Sequence, residues 1–105
     1  MSFNAERFER LHDGLRLVAG RVGLSIRPTY QVAPGNGPQI IHFGHVALEY
    51  VPTRKHVVKV KCSDTVLAQH PITETRELIA AGIRAYTETA IEAGLDQFGV
   101  RNAGS

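Results

Sequence analysis

Two alternating runs in the middle of the chain match one another on both faces when paired across a five-residue connection, and this fixes more of the fold than any other feature. The first is IIHFGHVALEY, from Ile40 to Tyr50; the second is VVKVKCS, from Val57 to Ser63. Successive strand residues point to opposite faces, so alternation of apolar and polar side chains marks a half-buried strand. The connection PTRKH, Pro52 to His56, sets Tyr50 opposite Val58, Leu48 opposite Val60 and Val46 opposite Cys62. On the reverse face it sets Glu49 opposite Lys59 and Ala47 opposite Lys61. A slip of one residue would put Glu49 against Val58 and turn every side chain of a strand to the wrong face. The Glu49–Lys59 cross-strand pair is expected to contribute about 0.2–1 kcal/mol.

Gly44 interrupts the first run. In an unbroken strand His42 would share a side with Ile40, Val46, Leu48 and Tyr50, while His45 would share the other with Ile41 and Phe43. One extra residue at Gly44, a β-bulge, repairs the pattern. Ile41, Phe43, Val46, Leu48 and Tyr50 then all face the core, and His42, His45, Ala47 and Glu49 all face outward. The expectation is a bulge with both imidazoles on one outer surface.

On the N-terminal side, LSIRPTYQV alternates with Leu24, Ile26, Tyr30 and Val32 pointing one way, and Pro28 assigns this strand to a sheet edge because it cannot donate to a ladder. APGNGP reads as a turn rather than a phosphate loop, since Pro38 prevents a helix from starting there. On the C-terminal side, DTVLAQHPI can add a short further strand through Val66 and Leu67. Helical periodicity flanks this block. Over residues 4–22, Phe8, Leu11, Leu15, Val18, Ala19 and Val22 share a face, with Ser2 or Asn4 as cap and Gly20 or Gly23 as stop; Leu17 lies on the opposite side. A second helix starts at Thr73 as N-cap and puts Ile79, Gly82, Ile83, Tyr86, Ala90 and Ala93 on one face, with Gly94 as an end or kink. If it continues, Ile91, Leu95 and Phe98 form a second apolar stripe, and Glu88, Glu92 and Asp96 form an acidic ridge that suits a basic neighbour. The order α-β-β-β-(β)-α implies an α+β fold: an antiparallel three- to four-stranded meander with two helices on one face. The chain is expected to be a single domain over 1–100 with a flexible tail at 101–105.

The 105 residues suit one domain with one core, and Cys62 is the lone cysteine. No intramolecular disulfide can form, which fits a reducing compartment. The N-terminal stretch MSFNAERFERLHDG is charged where a signal peptide needs an apolar run, and no apolar run approaches the ~20 residues that span a bilayer. A cytoplasmic protein without membrane association is the expectation. Residues 1–63 hold nine Lys and Arg against four Asp and Glu, whereas residues 64–105 hold three against six. That asymmetry suits packing of one copy on another.

The outer sheet face, with Arg27, Thr29, Gln31, His42, His45, Glu49, Lys59, Lys61 and Ser63, is polar and basic. Metal binding would need His42, His45 and Glu49 or His70 to converge, but Lys59 and Lys61 would repel the cation; no metal and no cofactor is expected. Histidine-assisted catalysis, with Glu49 orienting an imidazole, needs a cleft that an open sheet lacks unless a second subunit roofs it. The order resembles that of the double-stranded RNA-binding domain in topology. That family's second helix begins with phosphate-gripping lysines, whereas this one begins ETRELIAAG, and the open face has no aromatic residues for stacking bases. Nucleic acid is therefore a minor alternative, through the basic sheet face. The leading expectation is a binding domain and not an enzyme: a homodimer through Ile91, Leu95 and Phe98, with a protein partner or a small ligand near His42, His45, Glu49, Lys59, Lys61 and Arg27. Apolar residues left over at Ile40, Val51 and Val57 point the same way.

Overall fold

The computed structural model describes residues 3–32, 38–50 and 56–99, without the side chains of 3–5 and 32. The elements run α1 (Phe3–Arg21), β1 (Thr29–Val32), β2 (Gln39–Phe43), β3 (Val46–Tyr50), β4 (Val57–Cys62), β5 (Thr65–Pro71) and α2 (Thr75–Phe98). The strands form one antiparallel sheet in sequence order, β1-β2-β3-β4-β5, so the chain has the expected α+β meander with five strands instead of three or four. Asn4 lies inside α1, which already includes Phe3, and so is not its cap; the Ser2 cap, most of APGNGP, Val51 with most of the PTRKH connection, and the 101–105 tail lie outside the described residues.

One extra strand arises at Gly44. Phe43 pairs with Val46 and His42 with Ala47, which leaves Gly44 and His45 as a two-residue hairpin loop between β2 and β3. Gly44 has φ 64° and His45 does not share a positive φ, the pattern of a hairpin turn with glycine at its first central position. The expected bulge is thus a chain reversal. A bulge and a two-residue turn leave the same imprint on the alternation: each puts Phe43 and Val46 on one face. Ile41, Phe43, Val46, Leu48 and Tyr50 are all buried as the alternation required.

β3 and β4 pair in the expected register, with Tyr50 opposite Val58, Leu48 opposite Val60 and Val46 opposite Cys62. The expected further strand through Val66 and Leu67 forms as β5, longer than expected, and pairs with β4 along its length with a register shift between Val60 and Lys61 of β4. The run from Leu24 shortens to β1, which begins directly after Pro28 and forms a sheet edge as expected. Leu24 and Ile26 still pack against the core, but outside a ladder. Buried Pro28 turns its carbonyl to α1, where His12 Nε2–H donates to it at 3.1 Å.

Both helices cover one side of the sheet. Phe8, Leu11, Leu15 and Ala19 of α1 are fully buried, while Val22 at the end of their stripe is exposed because α1 has already stopped. Gly23 (φ 85°) takes the left-handed conformation; its N–H bonds Gly20 O and that of Leu24 bonds Ala19 O, which closes the helix in a Schellman motif. α2 starts one residue later than a Thr73 cap would give, with Glu74 in the N-cap position and no side-chain cap bond. Its buried face is Leu78, Gly82 and Ala85, joined by the half-buried Ile79, Ile83, Tyr86 and Ala90; Ala93 is exposed, not inward as expected. At Gly82 a Cβ would lie 3.4 Å from Leu15 and 3.5 Å from Leu48, ordinary contact distances that place this point of α2 against both α1 and β3. Gly94 neither ends α2 nor breaks it, and the helix continues to Phe98.

Candidate functional site

The open side of the sheet collects the outward residues of every strand. Thr29, His42, Ala47, Lys61 and Val66 form one row across it, and Gln31, Ile40, Glu49, Lys59 and Gln69 form the next. His42 Nε2 and Gln31 Oε1 are 3.0 Å apart, a bond in which the ring nitrogen donates. Glu49 faces Lys59 in register, yet its ion pair is with the diagonal neighbour: Lys61 Nζ lies 3.6 Å from Glu49 Oε1. Arg27 is exposed in the segment leading to β1 and lies in no strand. The face is polar and open.

His45 is not on it. From the hairpin turn its ring lies against α2, stacked on Tyr86 with ring centres 5.2 Å apart and planes 30° apart. Its Nε2 bonds the Thr89 hydroxyl. That hydroxyl donates its own proton to Ala85 O at 2.6 Å, so it accepts from the imidazole, and the His45 proton is on Nε2. Tyr86 also meets Phe43 edge-on at 5.1 Å. The expected joint surface of His42 and His45 therefore does not exist: one imidazole sits on the open sheet face, and the other clamps the β2–β3 turn to α2. Among the described residues no three His, Cys, Asp or Glu side chains stand close enough together to hold a metal ion.

The core side carries polar contacts of two tyrosines: Tyr50 Oη lies 3.2 Å from His56 Nδ1, and Tyr30 meets Gln39. Tyr30 O–H donates to Oε1 of Gln39, a buried polar residue, at 2.6 Å. Burial of Tyr30, and secondarily the negative charge of Glu9, raises its phenol above the ordinary value of 10.0. The alternation could not show this contact, since Gln39 is polar where the pattern wants an apolar residue.

Two surfaces remain on the helical side. An open depression along α1 is lined by Asp13, Arg16, Leu17, Gly20 and Arg21, away from every residue expected at a site. The last turns of α2 are the more informative surface. Every residue from 91 to 99 is exposed, and Ile91, Leu95 and Phe98 lie along one stripe with exposures of 60%, 37% and 84%. Glu88, Glu92 and Asp96 run beside the stripe at intervals of four. Arg84, one turn before Glu88, is exposed on the same side, a continuation that the sequence reading missed.

The fold and these surfaces define a small α+β domain with a polar open sheet and an amphipathic helix end bared beyond the core. No family model matches the chain, and neither a curated protein nor a solved structure matches it. Among the described residues no helix is long and apolar enough to cross a membrane.

Proposed function

We propose that the chain acts by binding, as a small interaction domain that self-associates through the outer side of α2 and so presents its polar sheet faces to a protein or small-molecule partner. The observation that carries this reading is the exposure of Ile91, Leu95 and Phe98 on one stripe of a helix end that the other described residues leave bare. Fully burying such a side chain gains about 1.5–3 kcal/mol. Six of them, already partly buried, offer about 5–11 kcal/mol between two copies, against an association cost of roughly 4–15 kcal/mol. The stripe by itself supports a weak to moderate dimer, and polar neighbours decide its strength. The free thiol of Cys62 agrees with a reducing, cytoplasmic setting. His42 and His45 fall on different sides of the sheet, so the geometry favours no catalytic second reading.

Sedimentation equilibrium over a wide concentration range tests this. The average mass should rise above 11.5 kDa with concentration and return to it in a variant carrying Leu95→Glu and Phe98→Glu. A mass of 11.5 kDa at every concentration would overturn the reading.

A further inference from the structure

β5 is the less guarded of the two sheet edges. It has seven residues and no Asp, Glu, Lys or Arg, whereas β1 at the opposite edge has four and starts directly behind Pro28. Val66 and Leu67 on it are 43% and 45% exposed. A strand edge offers its unpaired backbone N–H and C=O groups to another strand. The β4–β5 ladder shows where those groups are. Opposed residues of antiparallel strands alternate between pairs that exchange both hydrogen bonds and pairs that exchange none and turn their groups outward. Ile72 N–H bonds His56 O at 2.8 Å, so these two residues are a bonded pair. Val57–Pro71 is then non-bonded, Val58–His70 bonded and Lys59–Gln69 non-bonded. Pro71 agrees, because a residue without an N–H fits a position whose nitrogen turns away from the neighbouring strand. At the other end Cys62 and Thr65 close the two-residue turn of Ser63 and Asp64 as a bonded pair, which makes Lys61–Val66 non-bonded. Gln69 and Val66 thus point both backbone groups out from the edge, and no backbone of another described segment bonds them.

The interval between these two residues selects the occupant. A regular strand turns outward groups to one side at every second residue. On β5 the interval is three, because Leu67 is skipped between the pairs Val60–Ala68 and Lys61–Val66, a bulge. A regular peptide strand can satisfy Val66 or Gln69 but not both. A second β5 laid antiparallel presents the same interval. We infer that β5 pairs antiparallel with β5 of a second copy, with Val66 of each chain opposite Gln69 of the other. The two pairs use every N–H and C=O that these residues turn outward. The faces agree as well: Val66 and Gln69 stand opposite Lys61 and Lys59, both on the open side of the sheet. No like charges come to lie opposite one another, since β5 carries no carboxylate, lysine or arginine. The contact is isologous, so it closes at two copies and joins the two five-stranded sheets into one with a continuous open face. It goes beyond the α2 contact proposed above, because it rests on the backbone of β5 and not on the apolar stripe.

Disulfide capture in a Cys62→Ser background tests the edge and its register. Copies with Val66→Cys mixed with copies with Gln69→Cys should yield a covalent species of twice 11.5 kDa. Gln69→Cys alone should yield little, because the inferred register leaves the two copies of position 69 three residues apart along the strands, ~10 Å, and a disulfide needs Cα atoms within roughly 7 Å. Both positions are exposed, and a thermal melt checks that each variant is folded. Strong self-linking of Gln69→Cys would centre the pairing on that residue and overturn the inference. Capture of Val66→Cys by Gln31→Cys would mean that β5 joins β1 head to tail, and would overturn it too. A sedimentation mass that rises with concentration while no Val66–Gln69 link forms would overturn the edge pairing and leave the α2 contact standing. The link together with a mass that Leu95→Glu and Phe98→Glu do not change would uphold the edge pairing and overturn the α2 contact, whereas a monomer would overturn both.

Discussion

Replacing Gly44 by alanine tests the feature that separates this fold from the one its alternation first implies. Gly44 has φ 64°. An L-residue in the left-handed helical region costs about 1–2 kcal/mol from contact of Cβ with the backbone. The new Cβ would also lie 2.6 Å from Ile26 Cδ1 and 2.6 Å from Tyr86 Cε1. The Ile26 methyl ends a flexible side chain and can swing aside. The Tyr86 ring is held between Phe43 and His45, so part of the conflict persists as overpacking worth about 1–3 kcal/mol. The total is roughly 2–5 kcal/mol, a large part of the ~5–15 kcal/mol that holds a small domain together. With a urea slope of ~1.5 kcal/mol/M the midpoint should fall by about 1.3–3.3 M. Gly94→Ala is the control, because that glycine is inside α2 with nothing within 4 Å of a Cβ. It should stabilise by roughly 0.5–1 kcal/mol, so the two glycine-to-alanine changes carry opposite signs. In Gly44→Ala, adding Ile26→Val should recover part of the crowding and none of the backbone cost. A midpoint for Gly44→Ala within ~0.3 M of the unaltered chain would refute both the turn and the packing of Tyr86 beneath it.

The histidines should separate in the same assay. His45→Ala loses a ring stack and a hydrogen bond at a partly solvated site and should cost about 1–2 kcal/mol, whereas His42→Ala on the open face should stay within roughly 0.5 kcal/mol; equal costs would put the two rings in equivalent places, contrary to the structure. Tyr30 predicts a pH effect at the alkaline end. Its folded-state value is raised by burial and then by Glu9, so the folded chain holds this proton more tightly than the unfolded one. Its contribution is present in full below pH 10.0 and is lost as the pH rises through the folded-state value. Urea midpoints between pH 9 and 12 should fall more steeply for the unaltered chain than for Tyr30→Phe, and parallel curves would dismiss the effect.

The register of β3 on β4 was legible because both faces of the pair are specified at once. Tyr50, Leu48 and Val46 meet Val58, Val60 and Cys62 on one side, while Glu49 and Ala47 meet Lys59 and Lys61 on the other, and a one-residue slip breaks both faces; the length of the PTRKH connection chooses among the even shifts. The ion pair within that register was less legible, since a lysine side chain is long enough to reach a diagonal carboxylate. The chain reversal at Gly44 was hidden for a different reason. Alternation reports parity, and a two-residue turn changes parity as a one-residue insertion does; HFGHV is compatible with both. Glycine flanked by alternating runs is a hairpin signal as much as a bulge signal. Length favoured the turn, because an unbroken run from Ile40 to Tyr50 has eleven residues where ~5–6 is usual for a strand. The consequence for the candidate site was large. His42 and His45 looked like companions only if the backbone between them continued in one direction.

The end of α2 shows how one glycine decides what a chain offers to others. In helix-forming terms Gly94 costs only ~1 kcal/mol relative to alanine, and Ala90, Leu95 and Gln97 around it are compatible with a helix; termination needs more, such as a proline or a left-handed cap, and at Gly94 neither occurs. Continuation has a price in solvent exposure, because the stripe of Ile91, Leu95 and Phe98 then leaves the core face instead of folding back on it. Single exposed apolar residues are ordinary on any surface. Three along one stripe, on a side of the helix where no strand or helix packs among the described residues, are what the proposed self-association rests on. The acidic ridge beside them opposes the helix dipole near its C-terminus and is mildly self-repelling within one chain.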